Sequence, residues 1–292
     1  MAAAALARLG PGCYRTGRMP PIPAEPPQGS PVLAASAPPL VSVVVPVRNE
    51  APNIAPLVAE IEAALAGVPH EIVYVDDGST DATSAELAAA ARQAPLRWLR
   101  HRASCGQSAA IVTGIRAARG EWIATLDGDG QNDPADIPRL LARATREGGD
   151  ILVAGWRTTR RDSWVKRRSS RIANRIRVAL LHDATPDTGC GLKLFRRTLF
   201  LQLPAFDHMH RYLPALVLRQ GGRVVSEPVN HRHRTRGVSN YGTLDRLAVA
   251  FFDLVGVIWL QRRWKRPIVE APGERNGDAS AERSVAPASG DR

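Results

Sequence analysis

The stretch EWIATLDGDGQNDP, residues 121–134, joins a short apolar run directly to a turn that carries three aspartates. A continuous apolar run bounded by turn residues is typical of a strand covered on both faces. Asp127 and Asp129 alternate along the turn, and carboxylate oxygens so spaced suit Mg²⁺ or Mn²⁺. The stretch therefore predicts a buried strand with a divalent-metal site at its carboxyl end.

Comparable apolar runs alternate with helix-forming segments on both sides of this stretch. Strands are predicted at Leu40–Pro46, Glu71–Asp77, Leu96–Arg100, Glu121–Asp127 and Asp150–Gly155, and helices near Asn53–Leu65, Ala82–Gln93, Gln107–Ala118 and Ala135–Glu147. Asp81 and Ser104 are predicted helix caps. The alternation is typical of an α/β fold with a mostly parallel sheet flanked by helices, which we assign to residues 40–242.

Acidic turns follow three of these strands: PVRNE the first, VDDGSTD the second and LDGDGQNDP the fourth. In an open α/β sheet, the loops at the carboxyl ends of the strands line the ligand crevice. Asp, Asn and Gly also make ordinary turns and caps, which explains any one of these motifs equally well. Three at equivalent strand ends favour a shared site, where Asp77 would hydrogen-bond a base or ribose and a bound diphosphate would complete the metal ligands.

Composition sets outer bounds on the fold and its partners. The 292 residues are enough for one large domain with a core, and the net charge is +11. Only three of the 39 basic residues are lysines, so the arginine excess by itself says little about partners. Three cysteines without C-x-x-C spacing predict a reducing compartment. Residues 1–39 and 267–292 have the composition of disordered tails.

Several other protein classes are disfavoured. No G-x-G-x-x-G follows the first strand and no G-x-x-x-x-G-K-[ST] occurs, which argues against dinucleotide oxidoreductases and P-loop NTPases. The HMH and HRH sequences place neighbouring histidines on opposite faces of a strand, which disfavours a histidine metal site. A basic nucleic-acid-binding protein is an alternative, but the acidic sheet edge and the lack of aromatic residues among the arginines argue against it.

In this order, PVRNE, VDDGSTDAT, CGQSAAIVTGIRAARG and LDGDGQNDP resemble the motifs of family 2 glycosyltransferases of GT-A fold. The similarity runs from about Val41 to Tyr241 and is greatest to the dolichol-phosphate mannosyltransferase-like, or polyprenyl-phosphate glycosyltransferase, branch. The stretch DTGCGLKLFRR, residues 187–197, resembles the acceptor-side segment of that branch, with Leu192 where an aromatic residue is usual. The resemblance implies metal-dependent, inverting transfer of a hexose from a nucleoside diphosphate sugar such as GDP-mannose or UDP-glucose.

The resemblance also implies roles for individual residues. Donor binding is assigned to Pro46, Asn49, Glu50, Asp77, Gly106 and Asp127, the metal to Asp127, Asp129 and Gln131, and catalysis to Asp127, Asp129, Arg157 and Asp187. The acceptor phosphate and the membrane surface are assigned to Arg157, Lys193, His210, Arg234, Arg236 and Ser239.

The chemistry of the acceptor decides whether the site needs a general base. A sugar or glycolipid hydroxyl needs a carboxylate within hydrogen-bond reach, and Asp187 is the leading candidate. A polyprenyl phosphate, with a second pKa near ~6, is already ionised and needs nearby cations instead. Basic segments at residues 157–181 and 230–242 favour the phosphate, although a solvated helix face also explains the first. A nucleotidyltransferase, which would release diphosphate, is a further alternative.

The segment LAVAFFDLVGVIWL, residues 247–260, is apolar except for Asp253 and is followed by QRRWKRP. A spanning helix needs about 20 apolar residues, so a full transmembrane helix is not predicted. Residues 243–266 are predicted to form a helix that lies on the inner leaflet of the membrane or packs a homo-oligomer, with a buried core helix as the alternative. We therefore expect a peripheral enzyme at the cytoplasmic face of the cytoplasmic membrane.

Overall fold

The computed structural model describes residues 38–157, 177–183, 185–232 and 244–263. For residues 244–250 it describes the backbone only. Some of the sequence predictions concern residues outside these ranges. They are nearly all of the two tails, the basic residues 158–176, and the acceptor assignments to Arg234, Arg236 and Ser239.

Within the described residues, seven strands form one sheet. The strands are β1 (Val41–Val47), β2 (His70–Asp76), β3 (Leu96–Arg100), β4 (Trp122–Thr125), β5 (Ile151–Arg157), β6 (Lys193–Arg196) and β7 (Arg223–Val229). Their order across the sheet is β3-β2-β1-β4-β6-β5-β7. Strand β6 runs antiparallel to both β4 and β5, and the other neighbouring pairs are parallel. The predicted mostly parallel α/β sheet is therefore confirmed.

The five predicted strands correspond to β1–β5, but β6 and β7 were not among the predictions. Strand β6 has four residues and begins and ends with a basic side chain, so its apolar pattern is too short to recognise. Strand β7 contains Glu227 and Pro228, which suit an edge strand and weaken the apolar signal. The missed strands complete the far side of the sheet.

Helices cover both faces of the sheet. They are α1 (Ala51–Ala64), α2 (Thr83–Ala90), α3 (Gln107–Ala117), α4 (Ile137–Glu147), α5 (Arg197–Leu201), α6 (Leu213–Arg219) and α7 (Leu244–Arg263). One apolar cluster holds Ile54, Leu87 and Leu140 from α1, α2 and α4. A second cluster on the opposite face holds Ile115, Leu216 and Val257 from α3, α6 and α7. Burying each such side chain stabilises the fold by about 1.5–3 kcal/mol, so the two clusters hold the sheet between its helices.

Helix α7 contains the apolar segment singled out in the sequence. Its Val257 is buried, and the side-chain amide of Gln261 donates to the carbonyl oxygens of Leu181 at 3.3 Å and Ala215 at 3.4 Å. These contacts dock the second half of α7 onto α6. None of the helices in the described ranges is both long and apolar enough to cross a membrane.

Candidate active site

The acidic turn that carries Asp127, Asp129 and Gln131 begins immediately after β4, beside the end of the neighbouring strand β1. It is called the acidic turn below. Within the turn, the backbone N–H of Gln131 donates to Asp129 Oδ1 at 3.1 Å. From the start of α3, Gln107 Nε2 donates to Asp127 Oδ1 at 2.7 Å. The three predicted metal-site residues thus share one turn, and α3 supplies a side chain that orients the first of them.

Gly191 allows the loop before β6 to approach Asp127 closely. A Cβ atom at position 191 would lie 2.2 Å from Asp127 Oδ2, so no larger residue fits without moving the carboxylate. The hydroxyl of Thr125 donates to the carbonyl oxygen of Gly191 at 2.7 Å, which ties this loop to the end of β4. The antiparallel strand β6 therefore brings residues distant in sequence against the acidic turn.

The electrostatics of the turn suit a divalent cation. Burial raises the pKa of Asp127, and the nearby carboxylate of Asp129 raises it further, while Lys193 and the hydrogen bond from Gln107 oppose the shift. A hard cation bound by both carboxylates would remove their repulsion, and their oxygen donors are those that Mg²⁺ and Mn²⁺ prefer. The residues present at this turn therefore fit the predicted metal.

A cavity of about 360 Å³ lies beside Asp127. It brings together Asp127, Lys193 and His210, which were assigned to the site from sequence, and adds Gln107 and Arg211, which were not. The remaining lining residues come from α3, β4, the loop before β6 and α6: Ile111, Thr125, Leu126, Thr188, Gly189, Cys190, Gly191 and Leu213. Among these described lining residues, Asp127 is the sole carboxylate.

Lys193 is a buried basic residue in the cavity wall. Its Nζ donates to the carbonyl oxygens of Cys190 and, at 3.3 Å, of Thr188. Burial lowers the pKa of Lys193, while Cys190 and Asp127 act in the opposite direction. A second anion in the cavity would favour the charged form of this lysine.

His210 lines the cavity as a neutral side chain. Its Nδ1 lies 2.7 Å from the hydroxyl of Ser108 on α3. Burial, together with the nearby charge of Lys193, lowers the pKa of His210 to about 3. The imidazole is therefore uncharged at neutral pH and acts by hydrogen bonding. Among the described lining residues, the other basic side chains are Lys193 and Arg211.

Arg157 and Asp187 form a two-bond ion pair next to the cavity. Arg157 Nε donates to Asp187 Oδ2 at 2.6 Å and Nη2 donates to Oδ1 at 2.9 Å. Burial lowers the pKa of Arg157, but the pairing with Asp187 more than compensates and the net shift is upward. Asp187 also accepts from the backbone N–H of Gly189 at 3.2 Å. Both oxygens of Asp187 thus face the guanidinium of Arg157, an arrangement in which Asp187 holds Arg157 in place. The general-base role of Asp187 stays a prediction.

The turns after β1 and β2 are tied to each other. Asn49, in the left-handed region with φ 56°, receives a hydrogen bond on Oδ1 from the backbone N–H of Thr80 at 2.8 Å. The backbone N–H of Glu50 donates to Thr83 Oγ1 at 3.0 Å, and its carboxylate accepts from Asn53. The predicted donor-binding residues Asn49 and Glu50 therefore lie in one rigid corner that follows Pro46.

The carboxylate of Asp77 organises the start of α3. It accepts four hydrogen bonds: from His101 Nδ1 at 2.7 Å, Ser104 Oγ at 2.7 Å, and the backbone N–H groups of Cys105 at 2.8 Å and Gly106 at 2.9 Å. Burial alone would raise the pKa of Asp77, but the bond from His101 and the other donors lower it to about 2. The predicted cap Ser104 thus serves Asp77, and the residue before α3 is Gly106, whose φ of +91° suits glycine.

Asp77, His101 and Cys105 also place one potential metal-binding atom each within 4.8 Å of the others. In this group the oxygens of Asp77 already accept hydrogen bonds, and His101 Nε2 lies 3.0 Å from Thr113 Oγ1. The arrangement is that of a hydrogen-bonded network that connects β2 to α3. A contact from Asp77 to a nucleoside remains a prediction.

Comparison with known proteins identifies the family. The family model described as glycosyl transferase family 2 matches residues 42–203. This chain belongs to glycosyl transferase family 2. Within that family it is 38% identical over 237 residues to the dodecaprenyl-phosphate galacturonate synthase of Rhizobium johnstonii, a match that covers 77% of this chain and 68% of the relative. It is 37% identical over 223 residues to the undecaprenyl-phosphate 4-deoxy-4-formamido-L-arabinose transferase of an Enterobacter species, covering 74% and 66%.

Solved structures support the GT-A fold of this family 2 glycosyltransferase. A mannosyltransferase from Pyrobaculum calidifontis in complex with GDP-Man and Mn²⁺ superposes with a TM-score of 0.55 at 22% identity, covering 80% of this chain and 67% of the other. Glucosyl-3-phosphoglycerate synthase from Mycobacterium tuberculosis in complex with UDP gives a TM-score of 0.54 at 19% identity, with coverages of 76% and 80%. The chain spans about two thirds of the length of the curated relatives named above.

Gln107 and Arg211 are two of the cavity residues that sequence reasoning did not assign to the site. Gln107 stands in the quoted motif CGQSAAIVTGIRAARG, so its place at the start of α3 was predicted, but the direction of its side chain was not. Arg211 follows His210 in HRYLPAL, and only the 3₁₀ turn Met209–Arg211 places both beside the cavity.

Proposed function

We propose that this glycosyltransferase moves a sugar from a nucleoside diphosphate sugar to a polyprenyl phosphate, in a reaction that depends on Mg²⁺ or Mn²⁺. One observation carries the choice of acceptor: among the described residues that line the cavity, Asp127 is the only carboxylate, and it is assigned to the metal. A hydroxyl nucleophile would need a general base here, whereas a phosphate monoester is already ionised at neutral pH. The names of the two curated relatives support the same acceptor class.

In this proposal each part of the site has one task. A phosphate oxygen of the acceptor attacks the anomeric carbon of the donor sugar, the bond from that carbon to the diphosphate breaks, and the nucleoside diphosphate leaves. When bound at Asp127, Asp129 and Gln131, the cation would neutralise charge on the leaving diphosphate. Lys193 and Arg211 would face the acceptor phosphate from the cavity wall. Arg157, held by its ion pair with Asp187, would add positive charge next to them. Attack opposite the leaving group inverts the anomeric centre.

The donor is proposed to bind at the corner formed by Asn49, Glu50 and the Asp77 loop. The experiment is transfer of labelled sugar from GDP-mannose, UDP-glucose and UDP-galacturonate into the organic phase, with undecaprenyl phosphate as acceptor. Each donor is tested with Mn²⁺ and with EDTA. An EDTA-sensitive, mild-acid-labile lipid product supports the proposal and identifies the sugar. Transfer of sugar to a hydroxyl acceptor alone would overturn the lipid-phosphate assignment and leave the family assignment intact.

We further propose that α7 lies on the cytoplasmic face of the membrane. One face of this helix, here named the α7 apolar face, consists of Phe251, Phe252, Val255 and Trp259. These side chains are 49–71% exposed and point away from the core cluster that holds Val257. Arg262 and Arg263 follow at the end of the helix and complement the negative charge of an anionic leaflet. An apolar face with a basic, Trp-bearing end is typical of an interfacial helix.

Binding to vesicles tests this placement. The double variant Phe252→Ser/Trp259→Ser should bind phosphatidylglycerol-containing vesicles at least about tenfold more weakly, since each aromatic side chain contributes about 1.5–3 kcal/mol on burial. Leu201→Ser on α5, which is 43% exposed, serves as the control and should bind like the wild type. If the double variant instead loses self-association while its vesicle binding is unchanged, α7 is a packing helix of a homo-oligomer.

A further inference from the structure

Asp253 is the one charged residue in the apolar segment of residues 247–260, and its carboxylate points to a specific partner. Asp253 Oδ2 lies 2.9 Å from His208 Nδ1, and the two side chains are 21% and 30% exposed. An ionised carboxylate can only accept, so His208 Nδ1 carries the proton of this hydrogen bond. Helix α7 is thereby linked to the loop between α5 and α6.

His208 has a strained backbone that needs such support. Its φ of 61° lies in the left-handed region, which costs a non-glycine residue of order 1 kcal/mol and persists where surrounding contacts hold it. The side chain of Asp207 accepts the backbone N–H of His208 at 2.8 Å, and the carbonyl of His208 accepts the N–H of Arg211 at 3.0 Å. With Asp253 on the imidazole, His208 is held from both its backbone and its side chain.

The strained residue begins the turn that carries two cavity residues. His208 is the N-cap of the 3₁₀ turn Met209–Arg211, in which Met209 is buried while His210 and Arg211 line the cavity beside Asp127. Tyr212 follows this turn, and burial, with the charge of Asp253 as a second cause, raises the pKa of Tyr212 to about 12. The carboxylate of Asp253 therefore contacts the residue that begins the turn, and His210 and Arg211 of the same turn line the cavity.

We propose that Asp253 is a positioning residue: by holding His208, it sets the Met209–Arg211 turn so that His210 and Arg211 meet the acceptor phosphate. The inference rests on the proposed function, because it assigns the turn to the acceptor side of that site. It also gives the exposed α7 apolar face a mechanical connection to the cavity wall, since Phe252 and Asp253 are adjacent on the same helix.

Three variants separate positioning from general stability. Asp253→Ala removes the acceptor of the His208 bond, whereas Asp253→Asn keeps an oxygen that can accept it. Glu147→Ala is the matched control: Glu147 is 25% exposed and pairs with Arg223, the first residue of β7, at the sheet edge away from the acidic turn. Activity is measured in detergent with undecaprenyl phosphate, so that membrane binding does not enter, and hydrogen exchange is followed at the amides of residues 209–212.

The proposal expects Asp253→Ala to exchange about tenfold faster at these amides and to raise the acceptor KM by about tenfold with an unchanged donor KM. Asp253→Asn should restore both within about twofold, and Glu147→Ala should change neither. Unchanged exchange in Asp253→Ala overturns the proposal, as do equal changes in the two KM values or an unchanged acceptor KM. If the wild type transfers sugar to a hydroxyl compound and not to the lipid phosphate, the proposed function fails, while the exchange data still decide whether Asp253 holds the turn.

Discussion

Replacing Asp77 by asparagine should destabilise the protein measurably at neutral pH. The Asp77 side chain is 6% exposed and its oxygens accept four hydrogen bonds, two of them from backbone N–H groups. Asparagine has nearly the same size but turns an NH₂ group towards donors that need an acceptor. The loss therefore falls on the loop that precedes α3.

The pKa shift sets the magnitude of this loss. The pKa of Asp77 falls from 3.8 to about 2 on folding, and one pKa unit corresponds to about 1.36 kcal/mol, so the ionised carboxylate contributes about 2 kcal/mol. For a domain of this size that predicts a decrease in Tm of about 5–8 °C for Asp77→Asn. Thermal and urea unfolding at pH 7 measure it. Glu86→Gln on the exposed side of α2 is the control and should stay within about 0.5 kcal/mol of the wild type.

The same pKa shift predicts how the difference depends on pH. Because the folded-state pKa is the lower one, the contribution of Asp77 is complete above about pH 4 and is lost as the pH falls towards 2. The stability gap between wild type and Asp77→Asn should therefore be constant from pH 7 to 5 and shrink below pH 4. Equal stability of the two proteins at pH 7, or a gap that grows on acidification, would refute the reasoning.

Two further predictions concern the acidic turn. Asp129→Asn should reduce sugar transfer by at least about 100-fold in Mn²⁺. Its Tm should stay within about 2 °C of the wild type, since Asp129 is partly exposed rather than in the core. Near-normal turnover of this variant would contradict the metal role of Asp129. Gly191→Ala should also lose most activity, because the new Cβ would lie 2.2 Å from Asp127 Oδ2 and displace that carboxylate. The control is Gly256→Ala in α7, where a Cβ has nothing within 4 Å, and this variant should transfer sugar in detergent like the wild type. Equal activities of the two alanine variants would rule out crowding of Asp127 as the cause.

Much of the fold was predictable because it depends on local patterns. Strands β1–β5 are apolar runs that end in turn residues, and helices α1–α4 fill the intervals between them. The acidic turns after β1, β2 and β4 lie at one edge because parallel neighbours end on the same side. These rules give the position of the acidic turn after β4 before any contact is known.

The cavity beside Asp127 was less predictable because it depends on contacts between distant segments. The antiparallel strand β6 brings Gly191 and Lys193 close to Asp127. This strand has only four residues, and a pattern that short does not predict a strand. The sequence offers Asp187 as a candidate base but does not show that Arg157, thirty residues earlier, pairs with both of its oxygens. Arg211 entered the site only through the turn that His208 begins.

The most direct test of the account compares two acceptors that differ in one group. Undecaprenyl phosphate and undecaprenol are supplied in the same detergent with the active donor and Mn²⁺, and labelled lipid product is measured between pH 6 and 8. The account predicts product from the phosphate alone, because Asp127 is the only carboxylate among the described cavity residues and it is assigned to the metal. Transfer to undecaprenol at a comparable rate would contradict it, since that reaction requires a general base, and no carboxylate other than Asp127 lines the cavity as described.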